Sequence, residues 1–180
     1  MHTLAERYEE ERSAVLSQYQ FCPCCGSRLI NGVFEGAVKQ HCESACGFVH
    51  WNNPTPVVLA LVEFNGLYVV THNVEWPEWK YSLISGFLDT QEDPEQAVIR
   101  EVEEELALKA IETTLITTSI YEPLNQLMLA YHVMAEGEIK LNHEHDAYKL
   151  LDDEALSQWP FGLGATPAIQ QWLGRAGIAH

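Results

Sequence analysis

Positive charge is what this chain most lacks: 10 Lys and Arg stand against 26 Asp and Glu, a formal net charge of -16 over 180 residues. A duplex binder displaces counterions from phosphates with Lys and Arg, so no nucleic-acid partner is expected. A phosphate-bearing ligand would need its charge met by something else, and a divalent metal is the obvious candidate. Long hydrophobic runs are also missing. No stretch approaches the ~20 unbroken apolar residues that span a bilayer. Met1 to Gln20 is polar and rich in Glu, unlike a secretory or Arg-rich targeting segment, so a soluble protein with no membrane partner is expected. Cysteine is absent after Cys46, and all 5 cysteines fall between Cys22 and that residue. Such an odd, clustered set suits a metal site in a reducing, cytoplasmic compartment better than a secreted disulfide framework. Glycine (11) and proline (8) are too few for a collagen or linker, and 47% hydrophobic content excludes disorder. A chain of this length buries roughly 70% of its extended surface on folding, enough for a real core.

What is present divides the chain into three stretches. Residues 1–19 hold helix-favouring content with apolar Leu4, Tyr8 and Val15, and predict an amphipathic lead-in helix over Thr3 to Gln18. Residues 20–53 carry the cysteines, glycines and polar turns, with no long periodic pattern, and Pro54 and Pro56 punctuate the junction. Residues 54–180 open with Val57 to Phe64, then Asn65-Gly66, then Leu67 to Thr71, which reads as two strands around a hairpin turn. A loop rich in Trp and Pro follows, then a helix, strands near 113–121, 126–135 and 146–151, and a last helix near 166–174. Strands on both sides of a central helix predict an α/β fold, a mixed sheet with helices packed on it.

Cys22-Pro-Cys-Cys25-Gly26 places two thiols at C-x2-C spacing, and Cys42-Glu-Ser-Ala-Cys46-Gly47 adds a C-x3-C pair, each followed by glycine. Two such knuckles turn four thiolates toward one tetrahedral ion while backbone N–H groups reach the sulfurs. The reading is a zinc ribbon with Cys22, Cys25, Cys42 and Cys46 as ligands of a structural Zn²⁺. Cys24 is then surplus and His41 a weaker substitute. The alternatives are buried, unliganded cysteines, or a site that lost its ion because the second knuckle is one residue longer than usual.

The most informative segment runs from Gly86 to Leu108. Asp93, Pro94 and Gln96 form a helix start: a cap, proline at the first position and a capping-box glutamine. At about 100° per residue, Val98, Val102, Leu106 and Ile99 fall within one arc, the stripe to be buried, while Glu101, Glu104 and Glu105 occupy a neighbouring arc. Carboxylates spaced three and four apart repel by a few tenths of a kcal/mol per pair on an isolated helix. A bound divalent cation turns that cost into a ligand set, and oxygen ligands suit Mg²⁺ or Mn²⁺. A bare E-x-x-E-E on its own would be a solvated acidic face.

The frame around it resembles the signature of the Nudix hydrolases, and is matched by Gly86, Glu92, Arg100, Glu101, Val102, Glu104, Glu105 and Leu108. One departure is Ala107, where the family has glycine. Alanine costs about 1 kcal/mol or more in a left-handed cap, which opens the way to a different turn there. A ribbon before such a domain resembles the zinc-ribbon branch, which holds NADH diphosphatases and enzymes that cleave FAD or ADP-ribose. Trp51-Asn-Asn53-Pro54, Ser82 to Asp89, Gln126 to Tyr131, and Gly137-Glu-Ile leading to Asp146 through Glu154 share that likeness.

The resemblance implies an α/β/α sandwich with a mixed sheet over residues 54–180, and catalysis by Glu101, Glu104, Glu105, Arg100 and Glu92. The three helix glutamates would hold Mg²⁺ or Mn²⁺, and Arg100 would pair with a carboxylate such as Glu92. Asp89 sits where the family commonly carries an acid. Asp146 stands in for a glutamate that supplies a further ligand or a base, with Glu144 as the nearby alternative. The implied chemistry is attack of a metal-activated water on a diphosphate linkage in a small-molecule nucleotide. A homodimer is implied only by family analogy.

For substrate contacts, Trp76 and Trp79 precede Gly86 and are candidates to stack on a purine, with a packed or lid position as the alternative. His132, His143 and His145 fall into no ligand spacing and read as solvated or structural. NADH diphosphatases carry Ser-Gln-Pro-Trp-Pro-Phe-Pro shortly after the signature. Here the stretch is Ser119-Ile-Tyr-Glu-Pro-Leu-Asn125, which loses the Trp and Phe, keeps Tyr121 as a candidate stacker, and adds the anion Glu122. FAD or ADP-ribose is therefore expected over NADH. Two other classes compete: a Nudix-like sensor that binds without hydrolysis, which would be expected to lose ligand carboxylates, and a zinc-ribbon adaptor, for which Arg28 and Lys39 are the only cations in residues 20–50.

Overall fold

The computed structural model describes residues 19–162 and 164–175. The expected lead-in helix lies outside the described residues. What is described divides into two compact units, one drawn from residues up to Pro54 together with Glu122–Asn125, the other from Thr55–Tyr121 and the chain from Gln126 onward.

The first unit holds a three-stranded antiparallel sheet of β1 (Leu29–Phe34), β2 (Ala37–Cys42) and β3 (Val49–His50), in that order. The β1–β2 register runs from Leu29 opposite Cys42 to Phe34 opposite Ala37. The Glu122–Leu124 turn ends at Asn125, whose side-chain amide donates to the Asn52 backbone oxygen at 3.2 Å.

The second unit is built on one strand, β4 (Thr55–Phe64), whose uncharged Val57 to Val62 is buried on both faces, as a central strand requires. Along one edge it pairs antiparallel with β5 (Leu67–Asn73) near its end and with β6 (Ile84–Phe87) near its start; along the other it runs parallel to β8 (Gln126–Glu136). The sheet continues outward through β7 (Lys109–Tyr121) beyond β8 and β9 (His145–Leu151) beyond β5. Asn65 and Gly66 both take positive φ, 53° and 76°, the backbone of a tight two-residue hairpin turn.

Alternation along β4 assigns two cores. Val58, Ala60 and Val62 face α1 (Pro94–Leu106) through Ala97, Val98, Val102 and Leu106. Val57, Leu59 and Leu61 face α2 (Asp153–Gln158) and α3 (Thr166–Arg175) through Leu156, Ala168, Ile169 and Leu173. The result is the α/β/α sandwich with a mixed sheet. Of the stripe read from periodicity, Val98, Val102 and Leu106 are buried; Ile99 is only half-buried, and Ala97 and Glu105 go in instead. Ala107 does not change the turn: it takes the left-handed conformation itself, φ 55° and ψ 24°, and its N–H donates to the Glu103 oxygen. Among the described residues no helix is long and apolar enough to cross a membrane.

Candidate active site

The start of α1 departs from the capping expectation. Asp93 is the cap residue and Pro94 opens the helix, but the Asp93 side chain makes no capping hydrogen bond. The acid that closes this end is Glu92. It accepts from the Asp89 backbone N–H at 2.9 Å and from Arg100 twice, Nε at 2.8 Å and Nη2 at 3.0 Å. A planar guanidinium matches both oxygens of a carboxylate at once, which a lysine could not do.

Arg100 is also bonded elsewhere. Its Nη1 donates to Glu101 at 2.7 Å and to Glu104 at 3.3 Å, and Nη2 reaches the Phe87 carbonyl at 3.1 Å. One side chain thus ties the loop before α1, the end of β6 and two helix carboxylates together. Arg100, with help from the Asp89 N–H, holds the Glu92 carboxyl down to about 2. Burial raises the Glu101 carboxyl, and the Arg100 hydrogen bond opposes that rise. Gly86 on β6 leaves room for this packing, because a Cβ there would overlap the Glu101 carboxylate and push it aside.

Glu105 lies on the other side of the group. It is only 6% exposed, and its Oε2 sits 2.7 Å from Nε2 of His145, itself 9% exposed. The second ring nitrogen, Nδ1, is 3.3 Å from the His72 carbonyl. Burial is the largest single influence and works against charge on His145, but the Glu105 hydrogen bond and charge, with the His72 carbonyl and the Glu144 charge, together outweigh it, and the ring titrates above its ordinary value.

His145 reaches α1 because the β5–β9 ladder slips. His72 pairs with Ala147 and Asn73 with His145, so Asp146 is the extra residue of a bulge. Asp146, expected from the sequence as a further ligand or a base, has a partner on β5. Its Oδ1 lies 2.6 Å from His72 Nδ1, while His72 Nε2 faces the Pro77 carbonyl at 3.2 Å. Glu144, the alternative, stands in the turn before β9, its N–H bonded to the Asn142 side chain.

The aromatic candidates separate. Trp79 is 73% exposed, whereas Trp76 is half-buried with the Lys80 ammonium 4.2 Å above its ring. Tyr121 packs against the core under α2 and α3. His132, read as structural or solvated, is buried, bonded to Glu63 at 2.9 Å and stacked on Trp172 at 4.0 Å. His145 is the residue that spacing missed. The available signal was its place in an alternating polar run, His143-Glu-His145, at a strand start.

In the first unit, Cys22, Cys25, Cys42 and Cys46 bring their sulfurs within 4.8 Å of one another, with Cys22–Cys46 at 3.5 Å and Cys25–Cys42 at 3.4 Å. Four sulfurs about 2.3 Å from a tetrahedral ion would stand about 3.8 Å apart, so the set fits such an ion. Cys24 is exposed and outside it. The knuckle backbone is closed by Cys22 N–H to Ser27 and Gly26 N–H to Cys22. Among the described residues no carboxylate group is gathered as tightly. Glu101, Glu104 and Glu105 do offer hard oxygen donors of the kind Mg²⁺ and Mn²⁺ take.

A profile of the NUDIX domain matches residues 52–171, two thirds of the chain. The chain belongs to the Nudix hydrolase family. Relatives that it matches are named as NAD-capped RNA hydrolases and as an NAD(P)H pyrophosphatase. It is 29% identical over 133 residues to the NAD-capped RNA hydrolase NudC of Stutzerimonas stutzeri, covering 73% of this chain and 47% of that protein. It is 30% identical over 129 residues to the mitochondrial NAD(P)H pyrophosphatase NUDT13 of Mus musculus, covering 69% of this chain and 36% of that protein. The chain thus spans about half or less of the length of these two relatives. In fold it matches a NUDIX hydrolase from Nitrosomonas europaea, with TM-score 0.69 and 19% identity over 88% of this chain and 94% of that one. The NUDIX domain of Shewanella oneidensis NrtR, solved with ADP ribose, has TM-score 0.57 and 16% identity over 68% of this chain and 88% of that one.

Proposed function

We propose that this protein hydrolyses the diphosphate linkage of a nucleoside diphosphate derivative, with FAD or ADP-ribose favoured, and releases AMP. The observation that carries the reading is the Arg100 hub, which holds Glu92, Glu101 and Glu104 beside the buried Glu105 on one helix. Glu101, Glu104 and Glu105 would hold Mg²⁺ or Mn²⁺. Such an ion, when bound, lowers the pKa of a coordinated water and offsets charge on the phosphates. Arg100 spends its donors on the protein's own carboxylates, so it keeps the ligand set in place rather than meeting the substrate. In a chain of net charge -16, that leaves recruitment of an anionic diphosphate to the carboxylate-held cation.

The choice of FAD or ADP-ribose rests on Ser119 to Asn125. Tyr121 is engaged by the core, Pro123 is buried, and Glu122 adds an exposed anion where the NADH diphosphatases carry an aromatic segment. Loss of one aromatic–base stack costs about 1–3 kcal/mol, up to roughly two orders of magnitude in discrimination. The second reading, NADH diphosphatase, is favoured by the likeness to NUDT13, an NAD(P)H pyrophosphatase, and to NudC, an NAD-capped RNA hydrolase. We read residues 20–53 as a structural zinc ribbon, residues 54–180 as the hydrolase domain and the cytoplasm as its place of work, the last from the unpaired cysteines.

A panel of NADH, FAD, ADP-ribose, CoA and nucleoside triphosphates with Mg²⁺ or Mn²⁺, products resolved by chromatography, tests this. AMP from FAD or ADP-ribose is the expected result. A kcat/KM for NADH at least about tenfold above both, one decade being ~1.4 kcal/mol, selects the second reading. Metal-dependent binding of ADP-ribose with no turnover of any compound makes the chain a sensor.

A further inference from the structure

We infer that His145 is a positioning residue that sets the attitude of the Glu105 carboxylate toward a divalent cation. The inference rests on the reading of Glu105 as a metal ligand. A carboxylate as buried as Glu105 needs a partner, and the structure supplies one from a strand forty residues further along the chain. The imidazole is fixed from behind. Its Nδ1 faces the His72 carbonyl at 3.3 Å, so the ring plane is set by the β5 backbone and Nε2 is aimed at Glu105 Oε2. One carboxylate oxygen is committed to this bond, and the other remains for a cation. Ligating carboxylates are characteristically held by such outer hydrogen bonds.

The bulge at Asp146 makes this arrangement specific. In an unbroken ladder the residues at 145 and 146 would simply alternate across the sheet. The slipped register instead delivers the His145 ring to α1 and the Asp146 carboxylate to His72. A ladder irregularity is thereby placed where it aims a side chain at a ligand position, a recurrent use of bulges beside active sites.

The test compares His145→Gln with His145→Asn in the full chain. A glutamine amide reaches about where Nε2 lies and keeps a donor on Glu105. An asparagine amide mimics Nδ1, so it retains a partner for the His72 carbonyl but falls short of Glu105. Mn²⁺ binding is measured calorimetrically without substrate, alongside kcat, KM and thermal unfolding. The expected result is a Kd for Mn²⁺ weakened at least about tenfold in the asparagine variant, with lower kcat and little change in KM, and largely restored in the glutamine variant. Wild-type Mn²⁺ affinity in both variants, or equal loss in both, overturns the proposal. Glu105→Gln separates the two levels: if it leaves Mn²⁺ binding and turnover intact, the reading of Glu105 fails. If Glu105→Gln loses both while His145→Asn keeps both, only the role of His145 fails.

Discussion

Replacing Ala107 by glycine should stabilise the protein, and the size of the gain follows from the backbone. Ala107 ends α1 at φ 55° and ψ 24° with its N–H bonded to Glu103, a left-handed cap. An L-residue with a Cβ pays roughly 1–2 kcal/mol for that conformation, which glycine avoids. Glycine also gains freedom in the unfolded chain, worth about 0.4–1 kcal/mol against the folded state. Ala107 is exposed, so no packing is lost with its methyl group. The net gain is about 0.5–1 kcal/mol, or an increase in Tm of about 1–4 °C for a chain of this size. Differential scanning calorimetry or urea unfolding reads it directly. Ala107→Val serves as the opposite control, since a β-branched residue tolerates positive φ worse and should lower Tm. Turnover should stay within about twofold in Ala107→Gly, because no glutamate of α1 uses the Ala107 side chain. A glycine variant that melts below the parent would refute the strain argument.

Glu104→Gln and Glu105→Gln should each reduce turnover at least ~100-fold, several kcal/mol of transition-state stabilisation, and a double variant with parental turnover would rule this site out. Glu104→Gln should leave stability within about 0.5 kcal/mol, as its side chain is 58% exposed and its bond to Arg100 is the longest of the set. Elemental analysis should find about one zinc per chain; Cys22→Ser and Cys46→Ser should lower both zinc content and Tm, and Cys24→Ser neither. Release of zinc by Cys24→Ser but not Cys25→Ser would mean the first knuckle is in the wrong register. Glu92 carries a pH dependence. Its carboxyl is depressed from 4.5 to about 2 in the folded state, so its contribution is complete above about 4.5 and lost as pH falls toward 2. Urea midpoints should drop between pH 5 and pH 2.5, and drop less in Glu92→Gln; equal slopes would count against the Arg100–Glu92 pair.

Where a feature of this fold depends on neighbours in sequence, it was legible. The Asn65-Gly66 turn, the opening of α1 at Pro94 and the pairing of Cys22 and Cys25 against Cys42 and Cys46 all follow from short-range backbone preference or spacing. What was not legible depends on elements that meet only in the folded sheet. Asp93 has the chemistry of a capping residue, yet Glu92 takes over the helix entrance because Arg100, two turns further on, reaches back to it. Glu105 falls on the acidic arc of α1, but His145 arrives from β9 and the carboxylate is buried. A bulge leaves no period in the sequence, so the polar run His143-Glu-His145 drew notice to the strand start without telling that 145 turns toward α1 and 146 toward His72.

The parallel pairing of β4 with β8 bears on how the sheet is reached during folding. Thr55 lies beside Gln126 and Phe64 beside Ala135, a separation of about 70 residues along the whole ladder. Such a contact carries a large loop-closure entropy, and it cannot form until β8 has been synthesised. Until then Val57 to Val62, uncharged and half of it β-branched, has partners along one edge alone, β6 beside Val57 to Ala60 and β5 at Val62. The strand that organises the finished sheet is therefore also the nascent chain's most exposed template for intermolecular pairing, which makes slow refolding and concentration-dependent aggregation the expected failure of this domain.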